Sequence, residues 1–426
     1  MCNNCAKKVM KGQTQINNST IRNPNSALPR SWRWVRLGEV IQEVQPGFAC
    51  GKRADTDGYI QLRMNNISSR GQVNLSSVLR VPATQGQVDK YRLVSGDIIF
   101  NNTNSVDLVG KAALFNEEKG LFLYSNHLTR LRTMPGDLDP VYFVSWLQLQ
   151  WYRRVFEMIC NRWIGQAAVQ REKLLNLKIP LAPFHEQKRI AAKIQELMQD
   201  VERARTACEK QLEAAKVLPA AYLRQVFESE EAKKWERKRL GEVCEVVTGN
   251  TPSRNFPENY GAYIPWIKPE DLDREMYVSY SKEYLSELGV TRSRALPAGA
   301  VLVSCIGNLG KTAIAGCKLA TNQQINSLIP SPQINSEYLY FCCHTLQETL
   351  EILASSTTLK IVNKSIFASI EIPLPPLSVQ QRIATELKEK MAQIEKLRTG
   401  IEKQLEGITT LPQAILIKAF KGELSN

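Results

Sequence analysis

One stretch of this sequence has the look of a phosphate-binding device: Gly307-Asn308-Leu309-Gly310-Lys311-Thr312. A loop that cradles nucleotide phosphates as GxxxxGK[ST] needs glycine at position 305, and Cys305 stands there. A second Gly-Lys pair, Gly110-Lys111, is followed by Ala112, which lacks the hydroxyl that would hold Mg²⁺. Both pairs read instead as turns after a strand, leaving each lysine to meet a phosphate as a point charge. The three histidines, His127, His185 and His344, are too dispersed to imply a metal cage or a triad. Of ten cysteines only Cys2 and Cys5 have ligand spacing, and no second pair or nearby histidine completes four ligands. No metal is expected, and the cysteines read as thiols of a reducing cytoplasm. There is no Gly-rich dinucleotide turn, no Asn/Asp-Pro-Pro-aromatic methyltransferase motif and no clustered-acid nuclease motif. The expectation is a protein without catalytic chemistry and without a bound cofactor.

What remains is a set of polar loops. Arg63, Asn65, Asn66 and Arg70 lie beside a strand-like run at 59–63, and Asn101-Asn102-Thr103-Asn104-Ser105 follows another at 97–100. Lys111 and Asn126 lie further along, and Lys268, Asn308, Lys311 and Asn322-Gln323-Gln324 hold comparable places later in the chain. Asn and Gln make paired hydrogen bonds to adenine, and Arg or Lys engages guanine, so such loops suit reading of base edges. The same residue types also serve simply to reverse a chain. The net charge of +13 and a pI near 9.2 favour a polyanionic partner, most directly nucleic acid. That excess lies outside the long helical regions described below: residues 30–180 hold 20 basic against 13 acidic groups, whereas residues 181–231 hold 8 against 9. Residues 232–373 are nearly balanced, 15 against 14, so a DNA-facing surface there has to be locally basic. No run of 18 apolar residues or secretory leader is present, so a cytoplasmic protein without membrane contact is expected.

The elements that must hold these loops are written twice. Arg36-Leu37-Gly38-Glu39-Val40 returns as Arg239-Leu240-Gly241-Glu242-Val243, and Leu93-Val94-Ser95-Gly96 as Leu296-Pro297-Ala298-Gly299, both 203 positions on. Gly110-Lys111 matches Gly310-Lys311 at 200, and Ser125-Asn126 matches Thr321-Asn322 at 196. Thereafter the spacing is a constant 193. Ile179-Pro180-Leu181-Ala182-Pro183 matches Ile372-Pro373-Leu374-Pro375-Pro376, and Gln187-Lys188-Arg189-Ile190-Ala191 matches Gln380-Gln381-Arg382-Ile383-Ala384. Glu209-Lys210-Gln211-Leu212-Glu213 returns unchanged at 402–406. Two copies of this length make a duplicated domain pair and not a solenoid.

Within each copy, short β-like runs such as Asp97-Ile98-Ile99-Phe100, Ala300-Val301-Leu302-Val303 and Tyr263–Ile267 alternate with helical stretches at 140–159 and 336–354, which predicts a compact α/β (α+β) domain. A long helix follows each. Ile190, Ile194, Leu197, Val201, Ala204 and Cys208 step 4, 3, 4, 3, 4, continuing through Leu212 and Ala215. Ile383, Leu387, Ile394, Leu397 and Ile401 mark the same face in the second copy, with Leu405 and Ile408 beyond. These stripes predict a coiled coil between the two helices. The expected partition is an extension at 1–30, globular domains at 31–183 and 232–376, and helical spacers at 184–231 and 377–426.

Taken whole, the order of these motifs resembles the specificity subunit of type I restriction–modification systems (the HsdS family), from Trp32 to the ending Ala419-Phe420-Lys421-Gly422-Glu423-Leu424. The resemblance implies two target-recognition domains, each reading one half of a split double-stranded DNA site, with the two helices paired as an antiparallel coiled coil that sets the gap and relates the domains by an internal pseudo-two-fold. It also implies two methyltransferase subunits as partners and restriction/translocase subunits beside them. S-adenosylmethionine, ATP and Mg²⁺ would then belong to those partners. Since the globular domains differ outside the shared motifs, the two half-sites should differ. The competing reading is a coiled-coil scaffold that binds no specific DNA.

Overall fold

A computed structural model describes residues 28–51, 58–117, 119–354 and 360–424. Cys2 and Cys5 therefore lie outside the described residues. The chain divides into two compact units, one of residues 1–207 and 405–426, the other of residues 208–404. Each unit takes part of each long helix.

In the first unit, Ile98–Asn101 has no exposed residue on either face and sits inside a four-stranded antiparallel sheet. Its neighbours there are Leu128–Thr133 and Ala112–Leu114, with Ile41–Pro46 at one edge. A strand apolar on both faces needs cover on both. Helix Pro140–Tyr152 supplies one side through Phe143 and Leu147, and a second cluster around Ile99, Phe115 and Tyr124 supplies the other. A three-stranded sheet joins Tyr59–Leu62 in parallel to Phe122–Tyr124 and antiparallel to Leu79–Val81. A hairpin, Asn161–Trp163 with Gln166–Ala168, adds its inner strand to Thr103–Asn104.

The second unit repeats the two sheets of this plan. Val301–Ser304 is buried throughout and pairs with Ile325–Pro330 and Thr312–Ala315, and Tyr260–Ile267 runs parallel to Leu319–Thr321. Each expected helix after the sheet is broken in two. Arg154, at φ 57°, ends Pro140–Tyr152 before Val155–Ile159, and Thr345-Leu346 divides Ser336–His344 from Gln347–Leu353.

Matching hydrogen bonds test the repeat residue by residue. Gly110 N–H donates to the Asn101 carbonyl and Gly310 N–H to that of Ser304, so the Gly-Lys pairs correspond as the sequence indicates. The 125–126 match is one residue out. Ser125 N–H donates to Leu62 O while Asn322 N–H donates to Ile267 O, and Leu128 and Ile325 return bonds to Ser125 and Asn322. Gly47 packs against the Tyr124 and Ser125 carbonyls, and Gly249 against those of Thr321 and Asn322. The true pairs are thus Ser125 with Asn322, Asn126 with Gln323 and His127 with Gln324. Similarity of residue type misled the alignment where one loop carries a different length.

The Pro-rich strand and the glutamine that follows form a latch. Gln187 is fully buried; its carbonyl accepts from Asp139 N–H at 2.9 Å, and its amide donates to Asp137 O and Ala182 O, both at 2.8 Å. Gln380 repeats this with Asn335 N–H, Gln333 O and Pro375 O. Tyr142 and Tyr338 hydroxyls donate to Pro180 O and Pro373 O. These contacts join the start of each long helix to the start of the domain helix, which is why the motif appears twice.

The long helices are Phe184–Phe227 and Leu377–Ala419, of 44 and 43 residues. In the first unit Ile190 and Ile194 share a core with Leu416, Ala419 and Phe420, and in the second Ile383 and Leu387 pack with Tyr222, Val226 and Phe227. The start of one helix meets the end of the other in each case, so the pairing is antiparallel. Ile394 and Ile401 are also buried, and Val201 and Leu197 are partly so. Two expected seam residues are not on it: Ala204 is exposed and Leu397 is 50% exposed. They are equivalents, 193 apart. From Val201 the inner face continues by four to Arg205, whose side chain is 15% exposed and ion-paired to Glu202. An arginine can lay its aliphatic stem on an apolar seam while its head pairs at the rim, so counting apolar letters alone skipped it.

Candidate nucleic-acid interface

In the first unit three polar segments converge at one edge. Arg63 opens a short 3-10 turn in which the Asn66 side-chain Oδ1 accepts the Arg63 N–H at 2.9 Å, leaving the Arg63 and Asn65 side chains exposed. Asn66 itself is buried, its amide donating to Asn74 O and Ser77 O. The Ser125 N–H bond to Leu62 O brings the Asn126-His127 turn alongside, and Thr103 N–H donates to His127 O. Asn102 donates to Thr103 Oγ1 at 3.0 Å and to Asn126 O at 3.4 Å, while its own Oδ1 is buried without a partner. Asn104 accepts the Ser105 N–H at 2.8 Å, and Ser105 hydrogen-bonds Asp107, lowering the Asp107 pKa. Asn126 is exposed.

The second unit presents the corresponding edge. Lys268 opens an equivalent turn, with Asp271 accepting its N–H at 3.1 Å. Cys305 N–H donates to Gln324 O, which ties the segment after Val301–Ser304 to the 322–324 turn. Gln323 is exposed and accepts from Thr251 Oγ1, Asn308 is exposed, and Lys311 is partly exposed. Thr312 begins a strand, not a helix, so no helix N-terminus stands behind Gly310-Lys311 to receive phosphate.

Four expected contacts are corrected by this geometry. Lys111 is 7% exposed, and its ammonium donates to the Ile67 carbonyl; burial holds its pKa below the usual lysine value. It braces the Arg63–Ile67 turn from beneath and is not available to a phosphate. Arg70 faces its own long helix, pairing with Glu202 at 3.5 Å. Asn322 is 6% exposed, with both ends of its amide bonded to Gln324, so it shapes the turn. The Lys268 ammonium is tied to Glu283, whose pKa is lowered mainly by that hydrogen bond and also by Arg254 at 2.8 Å. Part of the first unit's positive charge is likewise internal: Arg130 bonds Glu43 at 2.6 Å and Arg132 bonds Asp97 at 2.6 Å. Burial raises the Glu43 pKa, but these two arginines outweigh it and the net shift is downward.

Sequence reasoning missed the hairpin at 161–168. It hydrogen-bonds to the Asn102–Asn104 segment, through Ala168 with Thr103 and through Val169 N–H to Asn102 O. The available signal was Trp163-Ile164-Gly165-Gln166, a two-residue loop with Gly165 at φ 76° between short strands.

Among the described residues the eight cysteines form no disulfide, no group of three or more His, Cys, Asp or Glu is placed to hold a metal, and no helix is long and apolar enough to cross a membrane.

Comparison with known proteins agrees with the repeat. A model of the type I restriction modification DNA specificity domain matches residues 29–213 and again 232–407. A candidate type I restriction enzyme specificity subunit, MjaX of Methanocaldococcus jannaschii, is 24% identical over 382 residues, 85% of this chain and 87% of its own length. A chain from a structural study of complex assembly and conformational transition in the type I R-M system superposes with a TM-score of 0.73 at 25% identity, covering 93% of this chain and 100% of the other. The HsdS subunit from Thermoanaerobacter tengcongensis gives 0.65 at 23% identity, over 94% and 99% of the two chains. The matches span both copies of the repeat and most of the chain: this protein belongs to the family of type I restriction–modification DNA specificity subunits.

Proposed function

We propose that this chain reads a split, asymmetric double-stranded DNA site for a type I restriction–modification complex, one polar edge to each half-site, and performs no catalytic step itself. The observation that carries this reading is one backbone frame bearing two sets of side chains. At equivalent places the first unit offers Asn65, Asn126 and His127, and the second Glu270, Gln323 and Gln324; exposed Arg63 is matched by Lys268, which Glu283 holds. A retained frame orients both units to the same kind of ligand, and unlike donors and acceptors on it select unlike bases. A scaffold without DNA specificity would have no use for this matched pair of polar edges.

The long helices are then the surface that carries two methyltransferase subunits, with restriction/translocase subunits joining them. S-adenosylmethionine, ATP and Mg²⁺ act on those chains. The helix pair also sets the gap between the half-sites.

The test is to express the chain with its methyltransferase partner and map the methylated adenines in the host genome. Duplexes carrying the mapped site are then compared with scrambled duplexes over a salt series. A gapped, non-palindromic target bound at least about a thousandfold more tightly than scrambled DNA supports the proposal. Equal affinity for both, or methyl transfer by the chain alone, refutes it.

A further inference from the structure

We propose that the Asn161–Ala168 hairpin is an apolar wedge that enters the duplex beside the bases met by the first unit's polar edge; this rests on the DNA-reading function above. Trp163 is 60% exposed and Ile164 106% exposed, adjacent at the tip of a two-residue loop, where water surrounds both. Folding gains nothing from leaving two large apolar groups there. An exposed pair of this kind on a polar rim marks a contact surface.

Three observations identify the occupant as double-stranded DNA. The inner strand of the hairpin is hydrogen-bonded to Thr103–Asn104, so the tip is built on the polar edge and not on a separate face. Its surroundings are basic: residues 153–173 hold five Arg or Lys against two Glu, and Arg154, Arg162, Arg171 and Lys173 are exposed. The base of the hairpin is also anchored, with Lys173 donating to Asn161 Oδ1 at 2.8 Å and Arg162 to Glu157 O at 3.0 Å. A rigid hairpin ending in Trp and Ile within a cationic collar matches a groove walled by phosphates, where apolar side chains reach the stacked base faces by entering between adjacent steps. Apolar side chains set between base steps unstack and bend DNA, and so contribute specificity at positions no hydrogen bond reads.

The test uses the full chain with its methyltransferase partner and duplexes of the mapped site, carrying 2-aminopurine stepwise through one half-site at a time. Wild-type protein should raise 2-aminopurine fluorescence at one step of the first unit's half-site. A Trp163→Ala, Ile164→Ser double variant should lose that rise and bind the site about tenfold or more weakly, the order expected when one such side chain loses its burial. Its salt slope should be unchanged, because no phosphate contact is removed. An Ile164→Leu single variant, which keeps both apolar groups at the tip, should retain both the signal and the affinity. Both substituted residues are exposed, so unchanged melting of the double variant verifies folding. Wild-type preference for the site retained in full by the double variant overturns the wedge alone. Loss of the methyltransferase subunit instead of DNA also overturns it and makes the tip a protein contact. Wild-type protein with no preference between mapped and scrambled duplexes overturns the wedge together with the specificity reading.

Discussion

The two Gly-Lys turns are equivalent in sequence and backbone, yet Lys111 and Lys311 should respond to substitution in opposite ways. Lys111→Ala removes the donor to the buried Ile67 carbonyl and the methylenes packed beneath the Arg63–Ile67 turn. An unsatisfied buried acceptor costs about 1–3 kcal/mol. Each lost buried methylene adds about 0.8 kcal/mol. Relief of the buried ammonium's desolvation, visible in its lowered pKa, offsets part of this. A net loss of about 2–3 kcal/mol follows, which for a unit of this size lowers Tm by roughly 4–12 °C. The salt dependence of DNA binding should be unaffected. Lys311→Ala, at a partly exposed position, should leave Tm within about 2 °C. It should weaken mapped and scrambled duplexes alike and reduce the log–log salt slope by about 0.9. Thermal melting combined with binding at four or five salt concentrations measures both. A Lys111→Ala protein with unchanged Tm and a reduced slope would refute the assignment of Lys111 to the interior.

Further outcomes follow from the same geometry. The depressed folded pKa of Lys111 means the unfolded chain binds more protons between that value and 10.5, so stability rises with pH through this window; wild type should gain on Lys111→Met as pH climbs toward 10.5, and a flat difference in melting would contradict the burial argument. Gln187→Ala and Gln380→Ala each orphan three backbone groups and should destabilise their own unit by about 3 kcal/mol in urea unfolding without changing the methylated sequence; a loss under about 0.5 kcal/mol would show the latch to be incidental. Asn126→Ala should relax one half-site and Gln323→Ala the other, each by about 5- to 150-fold against the mapped site; equal losses on scrambled DNA would remove both from base reading. Inserting four residues in each long helix, a step that nearly preserves the seam, adds about 6 Å of rise and should lengthen the preferred gap by one to two base pairs. Active protein with the original gap would show that the helices do not set it.

The sequence by itself determined the duplication, the strand-like runs at 97–100 and 300–303 (each one residue early), the Gly-Lys turns and the two long helices. Each of these is a local matter: periodicity tells which face of an element avoids water, and repeated letters at fixed spacing tell that an element recurs. Tertiary structure alone decided what each polar side chain meets. Ile67 lies 44 residues before Lys111 and captures its ammonium, while Glu202 lies 132 residues beyond Arg70 and Glu283 stands opposite Lys268. Nothing near those residues in the chain distinguishes them from Arg63 or Lys311, which keep their side chains at the surface. The one-residue shift that pairs Asn126 with Gln323 is fixed by backbone hydrogen bonds that no letter records. Arg205 takes a seam position that a count of apolar residues gave to Ala204, because its stem is apolar although its head is not. Trp163 and Ile164, which composition would assign to a core, are held in water by a two-residue turn at the end of a hairpin too short to fold back over them.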